Sequence, residues 1–202
     1  MHNSYFGALV NDQYISETIA LYDQHSNIAS NWWLRSPGES SRRAVFIAPS
    51  GLTNVYGEEV DNIYDSGVRP ALWLNVDPSF TFPPPPVSKN IKSGMIVQFG
   101  KYTWRVLEVQ EGKALILSDA IIEIRAYNEK ELSVTWESCT LRKYLNGEFY
   151  NSFSESNKQM IADTKVISNK NPWFMTKGGK NTSDFVFLLS IEEVVKFFGD
   201  SG

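Results

Sequence analysis

The chain predicts an α+β fold, and three observations carry that expectation. Residues 1–76 read almost wholly as strands and turns, the helix patterns all fall after residue 91, and nowhere does strand alternate with helix as a parallel sheet requires. With 42% hydrophobic and 21% charged residues in 202, the composition is that of an ordinary globular protein, which excludes collagen, coiled coil and disorder. A chain of this length can bury roughly 70% of the surface it exposes when unfolded, enough for one core without staples.

In the first piece, Trp32-Trp33-Leu34-Arg35, Ala44 to Ala48, Leu52 to Tyr56 and Val68 to Leu74 are apolar or alternating runs, so each reads as a strand. Pro37-Gly38, Pro49-Ser50-Gly51 and Ser66-Gly67 punctuate them with turn-forming residues. Residues 77–90 form a proline-rich linker, because Pro83-Pro84-Pro85-Pro86 lacks N–H donors and favours extended polyproline geometry. Beyond it, Met95 to Phe99, Tyr102 to Val109 and Ala114 to Leu117, separated by Gly100-Lys101 and Glu111-Gly112, predict an antiparallel meander.

About three helices follow. Leu141, Leu145 and Phe149 recur every four residues after Thr135, the expected N-cap, and Asn146-Gly147 is expected to loosen the helix end. A second short helix starts at Ser154 and carries Met160 and Ile161. The third has the strongest signal: Ser190 and Glu193 form a capping box before Ile191, Val194, Val195 and Phe198, and Gly199 ends it.

Several function classes are disfavoured by composition. A net charge of -4 offers no basic footprint for a phosphate backbone, so nucleic acid is not an expected partner. The single cysteine, Cys139, can build neither an internal disulfide nor a thiolate zinc site. No apolar run approaches the roughly 20 residues that span a bilayer, and Met1-His2-Asn3-Ser4 does not open a signal peptide, so any secretion signal lies outside this chain.

Motifs for chemistry are few. No G-x-S-x-G, H-E-x-x-H or G-x-G-x-x-G is present, and Gly178-Gly179-Lys180-Asn181-Thr182 lacks the first glycine of a phosphate loop and reads as an ordinary loop. His2 and His25 have no nearby serine or cysteine and read as surface residues. Cys139 near a helix start reads as a small buried hydrophobe before it reads as an activated thiol. Glu58, Glu59, Asp61 and Asp65 offer carboxylates that calcium can use, against the plainer reading of a solvated loop. No residue is assigned to catalysis, to a metal or to a cofactor.

The informative stretch runs from Trp32 to Asn75. Its framing strands are apolar, but between Pro37 and Gly67 the chemistry is mixed, with charge, amide and aromatic side chains following no core pattern. A scaffold holding varied side chains on loops suits recognition. The candidate ligand contacts are Arg42, Arg43, Phe46, Asn54, Tyr56 and Glu58. Trp32, Trp33 and Trp73 are expected in or near the core, and Arg35 and Arg69 are expected to hold the loop segment through backbone carbonyls. A protein or a glycan fits such a surface equally well.

Three segments carry a resemblance over nearly the whole chain outside the linker: Phe99-Gly100-Lys101-Tyr102-Thr103-Trp104-Arg105-Val106-Leu107, Thr135-Trp136-Glu137-Ser138-Cys139-Thr140-Leu141-Arg142-Lys143-Tyr144-Leu145-Asn146 with Phe187-Leu188-Leu189-Ser190, and Trp33-Leu34-Arg35-Ser36-Pro37-Gly38 with Gly67-Val68-Arg69-Pro70-Ala71-Leu72. They resemble an uncharacterised bacterial domain family with C-type-lectin-like features, whose closing segment here comes first. The resemblance implies a circular permutant, or the end of one tandem copy joined to the start of the next. The closing pattern is also similar to variable proteins diversified by retroelements, and Val134-Thr135-Trp136-Glu137 with Leu141 and Leu145 is similar to a helix of formylglycine-generating enzymes. Those oxidases rely on two active-site cysteines, whereas this chain has Cys139 alone.

The resemblance implies a C-type-lectin-like domain in which residues 1–76 and 91–202 form one compact unit across the linker. Its expected function is non-enzymatic ligand binding at a bacterial surface. An oxidase using Cys139 and a structural module of a tandem surface array are the alternatives. Adjacent chain ends are expected, and the linker leaves a domain-swapped dimer open.

Overall fold

Buried and exposed side chains alternate where one face of a strand meets the core, and they run together where both faces are covered. In strand β2 (Ala29–Pro37) the residues from Trp32 onward are all buried. It is therefore a central strand. The computed structural model describes residues 19–21, 29–64, 66–77 and 91–199. His2, His25, Asp65, the four linker prolines and both chain ends lie outside the described residues.

Strands β1 (Ala20–Leu21), β3 (Arg43–Ile47), β4 (Thr53–Glu59), β5 (Ser66–Val68) and β10 (Glu123–Ile124) share a sheet with β2, in the order β10-β5-β2-β3-β4 with β1 against β2. The pairs are antiparallel except β2 with β5, which is parallel. A second sheet has the order β6-β9-β8-β7, built from β6 (Ala71–Asn75), β7 (Ile96–Phe99), β8 (Tyr102–Gln110) and β9 (Lys113–Ser118). Two short strands, β11 (Thr164–Val166) and β12 (Thr182–Asp184), pair separately.

The expected strand from Val68 to Leu74 is two strands. Pro70 has no N–H to give a ladder, and the chain changes sheet there: Ala71 instead exchanges backbone hydrogen bonds with Phe187. As a result β6, the last strand before the linker, pairs with β9 of the meander, setting Leu72 against Ile116 and Leu74 against Ala114. Likewise β5 pairs with β10 across the linker. Each half supplies a strand to a sheet of the other.

Helix α1 (Thr140–Tyr144) starts later than the sequence suggests. Its N-cap is Cys139, whose sulfur accepts from Arg142 N–H, while Thr135 lies in the preceding turn. The expected loosening at Asn146-Gly147 takes the form of a π-helical turn over Leu145–Phe149. The Asn146 side chain explains it: its amide donates to the carbonyls of Arg142 and Val186, and its oxygen accepts from Phe185 and Val186 N–H. Helix α2 (Glu155–Met160) is capped by Ser154, and α3 (Ile191–Phe198) carries the full Ser190–Glu193 capping box.

Residues of both halves belong to one hydrophobic cluster that includes Trp32, Trp33, Leu72, Trp104, Trp136, Leu141 and Val194; Trp73 packs half-buried at its margin. Arg35 and Arg69 are buried at its edge, and both bond backbone carbonyls as expected. Arg35 donates to the carbonyls of Leu188 and Ile167 and forms a two-pronged pair with Glu193. Arg69 donates to Ser118 carbonyl at 2.8 Å and lies over the Trp32 ring. Both reach from the first half to the backbone of the second. Burial lowers the Arg69 pKa to about 10, with Asp119 partly opposing the shift.

Candidate recognition surface

Tyr56 is placed by a local irregularity of β3 and β4. Ala44 pairs with Glu58 and Phe46 with Asn54, so Val45 faces the whole stretch Val55-Tyr56-Gly57. The Asn54 side-chain oxygen closes this bulge by accepting from Tyr56 and Gly57 N–H at 3.1 and 3.2 Å. Gly57 has φ +81, and a Cβ there would sit 2.6 Å from Ala44 carbonyl oxygen. No larger residue fits that turn. The bulge turns Tyr56 outward, where it is 57% exposed.

Against Tyr56 stands a segment of the second half that sequence reasoning passed over. Phe174 lies with its ring centroid 5.0 Å from that of Tyr56. Beside it Trp173 is 44% and Met175 57% exposed. These three residues form the tip of a loop closed by Met175 N–H to Asn171 carbonyl and Asn171 N–H to Thr176 carbonyl. Met175 has φ 60, a left-handed conformation that costs a non-glycine residue about 1–2 kcal/mol.

The loop is pinned by Asn171, which is wholly buried. Its side-chain NH₂ donates to Pro37 and Val55 carbonyls, both at 2.9 Å, and its oxygen accepts from Trp173 and Phe174 N–H. Both donors and both lone pairs are thereby used. Thr176 adds a hydrogen bond to Glu39 carbonyl, and the Asn181 side chain closes the loop base on Ser168 N–H. Gly178 lies where any Cβ would come within 2.1 Å of Asn169 carbonyl oxygen. The glycines of the expected plain loop thus serve close packing.

The six expected contacts divide. Arg42 is exposed and pairs with Glu131 at 3.3 Å. Arg43 is half-buried, donates to Gly57 carbonyl and pairs with Glu39 and Glu59. Glu58 is half-buried and accepts from Glu59 N–H. With Tyr56 these lie on β3, β4 and the turn before β3, and Tyr56 is the one set against the Asn171 loop. Asn54 spends its oxygen on the bulge, so it positions Tyr56. Phe46 is the correction: at 7% exposure its ring belongs to the core, because β3 buries its residues from Ala44 to Ile47.

Other candidates have structural places. Cys139 is buried; its thiol donates to Trp136 carbonyl and caps α1, and burial pushes its pKa up to about 12. Glu58, Glu59 and Asp61 form no metal cage: among the described residues no group of three or more acidic, histidine or cysteine side chains could hold an ion. No helix of the described residues is long and apolar enough to cross a membrane. A separate open cleft of about 220 Å³, with Trp73 and Asp163 in its wall, shares no residue with the Tyr56 face.

The sequence signal for the missed loop was available. Asn171-Pro172-Trp173-Phe174-Met175 places large apolar side chains between an Asx-turn former with proline and the pair Gly178-Gly179. Compared with known families, the chain matches the model of a domain of unknown function, DUF6273, over residues 5–76 and 111–202. No curated protein and no solved structure matches it.

Proposed function

The chain belongs to the DUF6273 family, and from that premise we propose that it is a recognition module, not an enzyme, binding a protein or glycan ligand where Tyr56 stands against the loop of Trp173, Phe174 and Met175, with Arg42, Arg43 and Glu58 as further contacts. The observation that carries this reading is Asn171. A fully buried amide spends its whole hydrogen-bonding capacity to hold aromatic and thioether side chains in water. Burying such a side chain contributes about 1.5–3 kcal/mol to folding, so exposing several on a fixed backbone forgoes stability in favour of contact with something else. The left-handed Met175 fits the same reading, since strain held in place by its surroundings clusters at binding surfaces.

We also read the arrangement as C-type-lectin-like with its halves in permuted order. Two facts support a single unit made from both halves: the family matches residues 5–76 and 111–202, and β6 completes the sheet of the second half. The same pairing made in trans gives a domain-swapped dimer, which analytical ultracentrifugation would reveal as twice the 22.9 kDa of one chain. The oxidase alternative gains no support from a buried thiol that caps a helix. A module of a surface array with no ligand of its own is the remaining alternative.

The test is a panel of immobilised glycans and cell-surface proteins, probed with the parent chain and with a variant in which Arg42, Arg43, Tyr56, Glu58 and Trp173 are serine. Specific binding by the parent, lost in a variant whose melting temperature moves by no more than a few degrees, is expected. Equal binding by both, or none by the parent, sinks the proposal.

A further inference from the structure

We propose that the Tyr56–Trp173 face takes a polypeptide segment bearing a large apolar side chain flanked by carboxylates, an assignment that rests on the recognition reading above. Three features select this partner. The first is the chemistry of the tip. Trp, Tyr, Phe and Met are the side chains enriched at protein interfaces, and the thioether of Met175 offers adaptable contact but almost no hydrogen bonding.

The second feature is that the polar groups around the tip are already committed. Asn54 and Asn171 bond backbone, Glu58 bonds Glu59 N–H, Arg43 bonds Gly57 carbonyl and pairs with Glu39 and Glu59, and Arg42 pairs with Glu131. A sugar, whose hydroxyls each need a donor or acceptor, must compete here with bonds already made. An apolar anchor flanked by a paired charge such as Arg43 with Glu39 is instead the layout of a protein hot spot with its water-excluding rim.

The third feature is charge. The chain as a whole is negative at -4, yet residues 169–181 contain Lys170, Lys177 and Lys180 and no acid. Lys180 reaches Glu137 at 3.4 Å, whereas Lys170 and Lys177, exposed on either side of the tip, have no ion pair among the described residues. They complement carboxylates placed beside the anchor. An anionic lipid surface would meet the same lysines but would also meet the exposed Glu39 and Glu59, whereas a peptide can place its carboxylates on the lysine side of the tip.

The experiment selects random-sequence linear peptides displayed on phage against the full chain. The enriched peptides are expected to place an aromatic or long aliphatic residue within a few positions of Asp or Glu. Their affinity should fall at least tenfold in Trp173→Ser or Met175→Ser. It should also fall several-fold as salt rises from about 0.05 to 0.5 M, and this salt dependence should shrink in the double variant Lys170→Gln, Lys177→Gln, which leaves the core untouched. Enrichment without acidic residues, or affinity indifferent to Lys170 and Lys177, overturns the proposal. Trp173-dependent binding to a glycan array in place of peptides overturns the polypeptide assignment and leaves the recognition reading standing, whereas Trp173-dependent binding to vesicles containing phosphatidylserine in their place overturns both. No Trp173-dependent binding to any of the three overturns both.

Discussion

The side-chain amide of Asn171 donates to the backbone carbonyl of Val55 at 2.9 Å, joining a loop of the second half to the bulged strand of the first. The same NH₂ donates to Pro37 carbonyl, so one side chain bridges β2 and β4 beside Tyr56. Asn171→Ala leaves two buried carbonyls without their donor, at about 1–3 kcal/mol each. Asn171→Asp is expected to be at least as damaging, because a carboxylate cannot donate. Amide exchange at Trp173 and Phe174, whose N–H groups both donate to Asn171 Oδ1, should quicken in Asn171→Ala, which removes that acceptor. Unchanged exchange there would mean that the loop is held by other contacts.

A second prediction concerns the pair Arg35–Glu193. Glu193 closes the capping box on Ser190 N–H and also pairs with the buried Arg35 guanidinium at 2.9 Å. Ser190→Ala removes one cap and should cost about 1 kcal/mol. Glu193→Ala removes a cap and also strands a buried cation, so about 3 kcal/mol is expected from urea denaturation. Equal losses would show that the ion pair adds nothing to the cap.

Alkaline stability follows from Cys139 and Tyr127. The thiol pKa is raised from its ordinary 9.0 to about 12, chiefly by burial, and burial also raises that of Tyr127 well above 10. A raised folded pKa gives stability that is full below the unfolded value and is lost as pH climbs toward the folded one. Stability should therefore hold up to about pH 9 and then fall by up to about 1.4 kcal/mol per pH unit for each proton toward pH 12. In Cys139→Val the fall should be shallower between pH 9 and 10, where tyrosine contributes little; an identical slope would rule out the thiol. Alkylation at pH 8 should be slow in the folded chain and fast in denaturant.

Stability and surface should separate cleanly. Leu141, wholly buried on α1, should cost about 2–5 kcal/mol when cut to alanine. Trp136, whose indole N–H donates to the buried Asp184 carboxylate at 2.9 Å, should be comparably costly. Arg42→Ala and Tyr56→Ala should each stay within about 0.5 kcal/mol, since both side chains face water. Large losses at both would make this face structural.

By itself the sequence determined what depends on near neighbours. The α+β class, the meander, the Ser154 cap, the capping box at Ser190 and the burial of Trp32 and Trp33 all follow from period, turn chemistry and spacing within a few residues. Tertiary structure decided whatever depends on a distant partner. Thr135 has the better capping side chain, but α1 starts at Cys139 because residues 127 and 128 fix that turn through Leu141 N–H and Thr140 N–H. Val68 to Leu74 is one apolar run, yet its two ends answer to different sheets. Phe46 and Tyr56 look alike as aromatics in mixed surroundings, and only the bulge closed by Asn54 sends one inward and the other out. The Trp173 loop gains meaning only when Asn171 meets Val55, a pairing 116 positions apart. Local rules are short-ranged, and the entropy of bringing such distant segments together is repaid only by the packed whole.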